Sequence, residues 1–379
     1  MRSLDSARAV CDRYHPGLLK ALDDIPFAER EASGSPAVDL FRTHGGVALL
    51  VPAEFGGHGV DPVDAVRVQR ALGATSPSVA AAVTMHHFTV SMLYSLAGRS
   101  GRLAPNQLDL LHKVVPDQIL MASGWAEGKT QQNIFAPSVV AEPARGGYRL
   151  NGAKKPCSLA HSMQLLTASI AVPGPDGTPE LALALVPATA EGLTVHPFWG
   201  NDVLAASESD EVRLTDVFVP DSMVIRTTAE DPGRLDDLQA AGVIWFEMLI
   251  SAGYAGAAAA LAEVVVERER GTAGERAGVV IDTESAFQLL EGVARKVRDG
   301  LEGDEAVAEV LVARYAAQDL LARAADQSLQ LLGGVDFIRS PDHARLAASV
   351  RPLVFHPPGR PAASGPLVEY LAGRPLDLS

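Results

Sequence analysis

The chain changes its hydrophobic period twice, and that limits its fold more than any other feature. From Ser6 to about Leu111 apolar residues recur at three and four, as in Leu18, Leu19 and Leu22 and again in Val63, Val66, Val68 and Leu72. That is the spacing of helices with one buried face. A loop, Val51-Pro-Ala-Glu-Phe-Gly-Gly-His-Gly-Val60, interrupts it. After Pro116 come short apolar runs at 118–122, 138–142, 148–150, 165–172, 181–186 and 211–219, punctuated by turn strings such as Asn151-Gly152. Runs of this kind are strands. Past residues 220–232 the helical period returns over 235–270, 283–301 and 305–332. The pattern predicts an α+β chain in the order α, β, α, with a helical domain at 1–117, a β domain at 118–228 and a second helical domain at 229–379.

Composition removes several function classes. Acidic residues outnumber basic ones, 46 to 32, for a net charge of −14, which argues against nucleic acid or an anionic membrane as partner. The two cysteines, Cys11 and Cys157, form neither a disulfide framework nor a zinc site, so a reduced cytoplasm is expected. Charged residues at Asp5, Arg8, Asp12 and Arg13 stand where a signal peptide carries its apolar run. The low-polarity stretch 249–262 is rich in Ala and Gly and shorter than the roughly 18 residues of a membrane span, so it predicts a tightly packed helix. There is no G-x-S-x-G elbow, H-E-x-x-H pair or phosphate-binding glycine loop. His86 and His87 diverge by about 100° on a helix and do not readily share a metal, and no metal site is expected. Lys154 and Lys155 are expected as solvated turn charges.

Several strings in this order resemble the acyl-CoA dehydrogenase superfamily of flavoproteins over nearly the whole chain. Val51-Pro-Ala-Glu-Phe-Gly-Gly-His-Gly is similar to V-P-E-x-Y-G-G-x-G, and Gly147-Tyr-Arg-Leu-Asn-Gly-Ala-Lys154 to G-Y-x-L-N-G-x-K. Phe198-Trp-Gly, Ser207-Glu-Ser-Asp-Glu-Val and Val217-Phe-Val-Pro220 resemble the family's G-x-R-x-S and V-x-V-P strand, and Gln330-Leu-Leu-Gly-Gly334 its Q-x-x-G-G. The resemblance implies a central β-barrel or sandwich, a C-terminal four-helix bundle, and a flavin wedged between the two. It aligns Ala126-Glu127 with the T-E-P segment along the flavin edge and sets Ser158 beside flavin N5 as a hydrogen-bond donor. Trp125 is then either a cover for a flavin face or a core residue. Gln330, Gly333, Gly334 and Arg270 correspond to positions that contact the cofactor, the arginine across a subunit interface. Departures are Ala126 for threonine, Gln132 for serine, Pro156 for tryptophan, and Arg270-Gly-Thr-Ala-Gly274 for R-x-x-F-G, which leave FAD and FMN both open.

The chemistry turns on a carboxylate. Thioester dehydrogenation needs a base for the α-proton, and the family's Y-E-G region is here Val354-Phe-His-Pro-Pro-Gly-Arg-Pro-Ala-Ala-Ser-Gly365, with no acid. Glu247 is the base only under a one-residue shift of register. His356-Pro357-Pro358 instead resembles the flavin monooxygenases of the superfamily, in which a histidine binds or deprotonates the substrate and a hydroxyl near N5 protects the flavin–oxygen adduct. The expected function is therefore a two-component monooxygenase acting on a small organic substrate, with Ser158 and His356 as the catalytic pair and His86 or His87 as a further substrate contact. A separate reductase would supply reduced flavin, and a homodimer or homotetramer is implied. The alternatives are an FAD-dependent dehydrogenase of an acyl-CoA or acyl-carrier thioester using Glu247, and a non-catalytic partner subunit.

Overall fold

The computed structural model describes residues 1–99, 101–128, 136–174, 176–228 and 235–378. The first helical stretch folds as α1 (Arg2–Tyr14), α2 (Leu18–Asp23), α3 (Phe27–Arg30), α4 (Ala37–Thr43), α5 (Pro62–Thr75), α6 (Pro77–Ala97) and α7 (Pro105–Lys113). Local chemistry sets their ends. The Asp61 carboxylate accepts from the amides of Val63 and Asp64, and Pro62 occupies the first turn of α5, where no amide is needed.

The short apolar runs form β1 (Met121–Gly124), β2 (Val140–Ala144), β3 (Gly147–Cys157), β4 (Leu165–Pro173), β5 (Pro179–Pro187), β6 (Leu193–His196), β7 (Asp210–Pro220) and β8 (Val224–Arg226). The expected barrel or sandwich takes the form of one mixed sheet, ordered β6-β7-β3-β2-β4-β5-β8, with β1 parallel to β4 off that path. The β3–β7 register shifts between Lys154 and Cys157, so the end of β3 leaves the ladder just before Ser158.

The second helical part contains α8 (Asp237–Glu267), α9 (Ala273–Arg298), α10 (Gly303–Leu332), α11 (Gly334–Arg339), α12 (Pro341–Ser349) and α13 (Arg360–Leu371). Helices α8, α9 and α10 pack on one another, and the short α12 closes the fourth side. Helix α8 also packs on α5 and α6, which makes it the axis of the molecule. Its alanines and glycines are explained by that crossing: a Cβ on Gly73 would lie 1.9 Å from the Gly253 carbonyl oxygen, and one on Gly256 would lie 2.1 Å from that of Arg70. By length and apolarity α8 is the one helix among the described residues that could cross a bilayer, yet 78% of its apolar window is buried inside the protein.

Candidate active site

The sheet side of the site is built from hydroxyls. Where β3 ends, Ser158 Oγ lies 2.8 Å from Ser209 Oγ, Ser209 Oγ lies 2.6 Å from Ser207 Oγ, and Ser207 donates to the Leu204 carbonyl at 2.6 Å. A hydroxyl has one proton. With the Ser207 proton on Leu204, Ser209 must donate to Ser207, and Ser158 to Ser209. Ser158 therefore keeps its lone pairs, not its proton, for anything that docks against it, the reverse of the donor role expected from sequence. A cavity of about 240 Å³ lies beside this relay, with Ser209, His161, Trp199 and Asp210 among its lining residues. His161 Nε2 and Asp210 Oδ2 are 2.8 Å apart, and Asp210 Oδ1 accepts from the amides of Phe198 and Trp199.

Behind the relay, the segment after β1 is tied to β3. The Ala126 carbonyl accepts from the Lys155 amide at 2.8 Å. Glu127 is buried, and its carboxylate accepts from Lys154 Nζ at 2.7 Å and from the amides of Ser138 and Val139. Lys154 is not a solvated turn charge: it is fully buried, reaches Ser169 Oγ as well at 3.0 Å, and burial pulls its ammonium down to about 8 against the hold of Glu127. The Glu127 side chain thus anchors the segment from within, and the backbone is what it can offer a cofactor. Trp125 is half-buried against the core. Gln132 lies outside the described residues.

The helical side is built from rings and an ion pair. His356 Nε2 lies 2.8 Å from the hydroxyl of Tyr254. The two rings stack at 5.7 Å and 27°, Phe246 meets His356 edge-on at 5.5 Å, and Phe88 of α6 meets Phe246 edge-on at 5.4 Å. Beneath them Glu247 and Arg314 are both fully buried, with Nη1 to Oε1 and Nε to Oε2 each 3.2 Å. Arg314 also donates to the carbonyls of Leu353, His356 and Pro358, and the Tyr315 hydroxyl donates to Pro358 at 2.7 Å. The guanidinium clamps the loop that carries His356. Burial pushes the Glu247 carboxyl up to about 7, with Arg314 opposing, and pulls the His356 imidazole down to about 3, with Arg314 adding to the effect. Glu247 is therefore not a free base for an α-proton; it is the counter-ion of the clamp.

The paired histidines differ from expectation. His86 is fully buried, its Nδ1 accepts from the Met121 amide at 3.2 Å, and its Nε2 faces the Val47 carbonyl at 3.1 Å. It is a neutral tie between α6 and β1, held down to about 4 by burial. His87 turns away, edge-on to Phe41 at 5.6 Å, and its two ring nitrogens have no hydrogen-bond partner among the described residues. Neither lies in the ring cluster around His356. Arg270 donates to the carbonyls of Leu331 and Leu332 at 3.3 and 2.7 Å, and a Cβ on Gly333 would lie 3.5 Å from its Nη2. The structure thus brings Arg270 to the end of the Gln330–Gly334 string, with Gln330 and Gly334 exposed.

Residues 5–100 match the acyl-CoA dehydrogenase N-terminal domain. The chain is 56% identical over 378 residues, spanning 100% of both chains, to isobutylamine N-hydroxylase of Streptomyces viridifaciens. The chain belongs to the flavin-dependent monooxygenase branch of the acyl-CoA dehydrogenase superfamily. Its fold is that of KijD3 in complex with FMN and an amino-keto-deoxysugar nucleotide (TM-score 0.81, 23% identity, 97% of this chain and 92% of that one). It is also that of a nitrososynthase from Micromonospora carbonacea var. africana (TM-score 0.81, 22% identity, 97% and 96%).

Sequence reasoning about this monooxygenase singled out Ser158 and His356 as candidates but did not identify the side chains that hold them. Ser207 and Ser209 were visible only as part of a strand-exit string. Tyr254 sits in the Ala/Gly-rich stretch that reads as close packing. Arg314 did carry a signal: it is a lone cation among Val310, Leu311, Ala313 and Ala317 on a buried face of α10, where an unpaired charge is too costly to keep.

Proposed function

We propose that the chain N-hydroxylates a small primary aliphatic amine, using O2 and reduced flavin delivered by a separate reductase. The balance is RNH2 + O2 + FlH2 → RNHOH + Fl + H2O, in which the flavin supplies two electrons, one oxygen atom enters the amine and the other leaves as water. The observation that carries oxygenation over thioester dehydrogenation is the burial of Glu247 against Arg314, which leaves no acid ready for an α-proton on that helix face. The amine class is supported by the full-length similarity to an amine N-hydroxylase.

The residues fit a reduced flavin. Ser158, with its own proton directed into the relay, offers a lone pair to an N–H donor, and N5 carries that hydrogen only in the reduced ring. We assign Ser158, Trp125 and the backbone of Ala126 and Glu127 to the ring. Arg270, Gln330, Gly333 and Gly334 are assigned to the distal part of FAD or FMN, at a subunit contact of a homodimer or homotetramer. His356 contacts the substrate, and the rings of Phe88 and Phe246 shield it from water. The protein works in the cytoplasm, with domain divisions near residues 117 and 228.

The test is to incubate the purified chain with FMN or FAD, a flavin reductase, NADH and isobutylamine or its homologues under ¹⁸O2. A hydroxylamine carrying one labelled oxygen supports the reading. Unlabelled amine together with anaerobic bleaching of oxidised flavin by an acyl-CoA would overturn it.

A further inference from the structure

The hydrogen count around His356 determines which of its nitrogens faces the chemistry. Tyr254 is buried, and its hydroxyl has one partner among the described residues, His356 Nε2 at 2.8 Å. A buried hydroxyl keeps its proton and needs an acceptor for it. Burial raises the Tyr254 phenol further above its ordinary range, so the proton stays on oxygen. The imidazole is neutral for two reasons already described, burial and the nearby Arg314. A neutral imidazole has one N–H and one lone pair. With the phenol donating, the lone pair is on Nε2 and the hydrogen on Nδ1.

We propose that Tyr254 is a positioning residue that locks His356 in the Nδ1–H tautomer, so that the imidazole meets the substrate as a hydrogen-bond donor and not as a base. The lock is over-determined. Stacking on Tyr254 at 27° and edge contact with Phe246 at 78° fix the ring plane, and Arg314 Nη2 holds the His356 carbonyl at 2.6 Å. The charged and titratable groups packed around the ring are Tyr254 and Glu247 from α8 and Arg314 and Tyr315 from α10. The carboxylate among them, Glu247, is paired with Arg314. On the amine N-hydroxylation reading, an Nδ1–H donor selects the neutral amine, whose lone pair can accept, and rejects the ammonium ion, which has none. That neutral form is also the nucleophile the reaction needs.

The lock can be read without flavin or substrate, which separates its failure from a failure of the N-hydroxylation reading. In ¹⁵N-histidine spectra of the full chain, with the His356 signals identified by their loss in His356→Asn, Nδ1 is expected as the protonated nitrogen and Nε2 as the bare one. In Tyr254→Phe the two signals are expected to move toward the average of the tautomers. The same variant is expected to raise KM for the amine about five- to tenfold, the worth of one hydrogen bond, with kcat within about twofold. Wild-type protein with the hydrogen on Nε2, or with an imidazolium at neutral pH, overturns the proposal whatever Tyr254→Phe does to folding. Unchanged ¹⁵N signals in a folded Tyr254→Phe protein overturn it as well.

Discussion

The two groups proposed to flank the flavin, the Ser158 relay and the His356 cluster, are held by opposite means. On the sheet side, three neutral hydroxyls pass their protons one way, from Ser158 through Ser209 and Ser207 to a backbone carbonyl, with the Glu127–Lys154 pair behind them outside the relay itself. On the helical side, a fully buried ion pair, Glu247 with Arg314, grips the loop of His356 through three carbonyls. The first arrangement ends in a lone pair on Ser158, the second in an N–H on His356. Both ends are neutral, because the charges that stabilise the helical side lie one layer back. On the proposed reading, a neutral hydrogen-bonding group can be held rigidly by a buried ion pair that does not itself meet the substrate.

The sharpest break of this comparison is Arg314→Met. It leaves Glu247 without its partner and the carbonyls of Leu353 and His356 without a donor, while Pro358 keeps that of Tyr315; a buried pair broken on one side costs about 3–5 kcal/mol. Urea unfolding is expected to show a loss of that size, while Glu247→Met added to Arg314→Met is expected to recover much of it, since replacing a buried pair by apolar groups is close to neutral. Serine-to-alanine changes in the relay are expected to stay within about 1 kcal/mol. Should Arg314→Met unfold no more easily than Ser207→Ala, the distinction between a charged and a neutral side has no energetic content.

How much of this was legible in the sequence follows the same division. Periodicity found α5 because Val63, Val66, Val68 and Leu72 repeat at helical spacing and are buried, and the strand runs at 165–172 and 181–186 found β4 and β5. It placed the start of the next long helix at 283, whereas α9 begins at Ala273. Its first turn carries Gly274, Glu275 and Arg276 at the surface and gives no apolar signal; the real marker was the capping box, in which Thr272 and Glu275 satisfy each other's amides. Family strings supplied Ser158 and His356. Lys154 and Arg314 could not be assigned from sequence, because their partners Glu127 and Glu247 lie 27 and 67 residues away, and burial of a charge makes sense only with its partner known. Glu247 stayed a conditional base, dependent on a one-residue shift of register, for the same reason.

The joint between the two sides gives the next prediction. His86 bridges α6, which carries Phe88, to β1 of the sheet, and burial holds it down to about 4 against an ordinary value near 6.5. His15, bound to the His44 carbonyl, is likewise held to about 4. At these two histidines the folded state binds fewer protons than the unfolded state between those limits, so their contribution to stability is constant above about pH 6.5 and is lost as pH drops toward 4. Each such histidine contributes roughly 3 kcal/mol across that window. Urea midpoints measured at a series of pH values are expected to show this slope, and His86→Gln, which keeps a donor and an acceptor but does not titrate, is expected to make it shallower. An unchanged slope would mean that the joint does not sense acid.

On the sheet side, Ser158→Ala is expected to cut the hydroxylamine formed per reduced flavin consumed by about tenfold, with hydrogen peroxide rising in compensation, the scale of one lost hydrogen bond. Product counting by mass spectrometry beside a peroxide assay would reveal it, and unchanged coupling would remove Ser158 from the site.

Ser207→Ala should do least, and it tests the direction of the relay itself. Alanine leaves Ser209 without an acceptor, so the Ser209 proton is free to turn back toward Ser158. Ser158 can then send its own proton outward and become a donor. An outward donor suits the bare N5 of oxidised flavin, whereas the wild-type lone pair suits the N–H of the reduced ring. The ratio of oxidised to reduced flavin dissociation constants is therefore expected to fall by about two- to threefold in Ser207→Ala, a few tenths of the energy of a full hydrogen bond because both arrangements remain available. Ser209→Ala cuts the relay one step nearer and is expected to move the ratio the same way and further. If the ratio rises instead, Ser207 donates outward to Ser209 and not to the Leu204 carbonyl, and Ser158 is a donor after all.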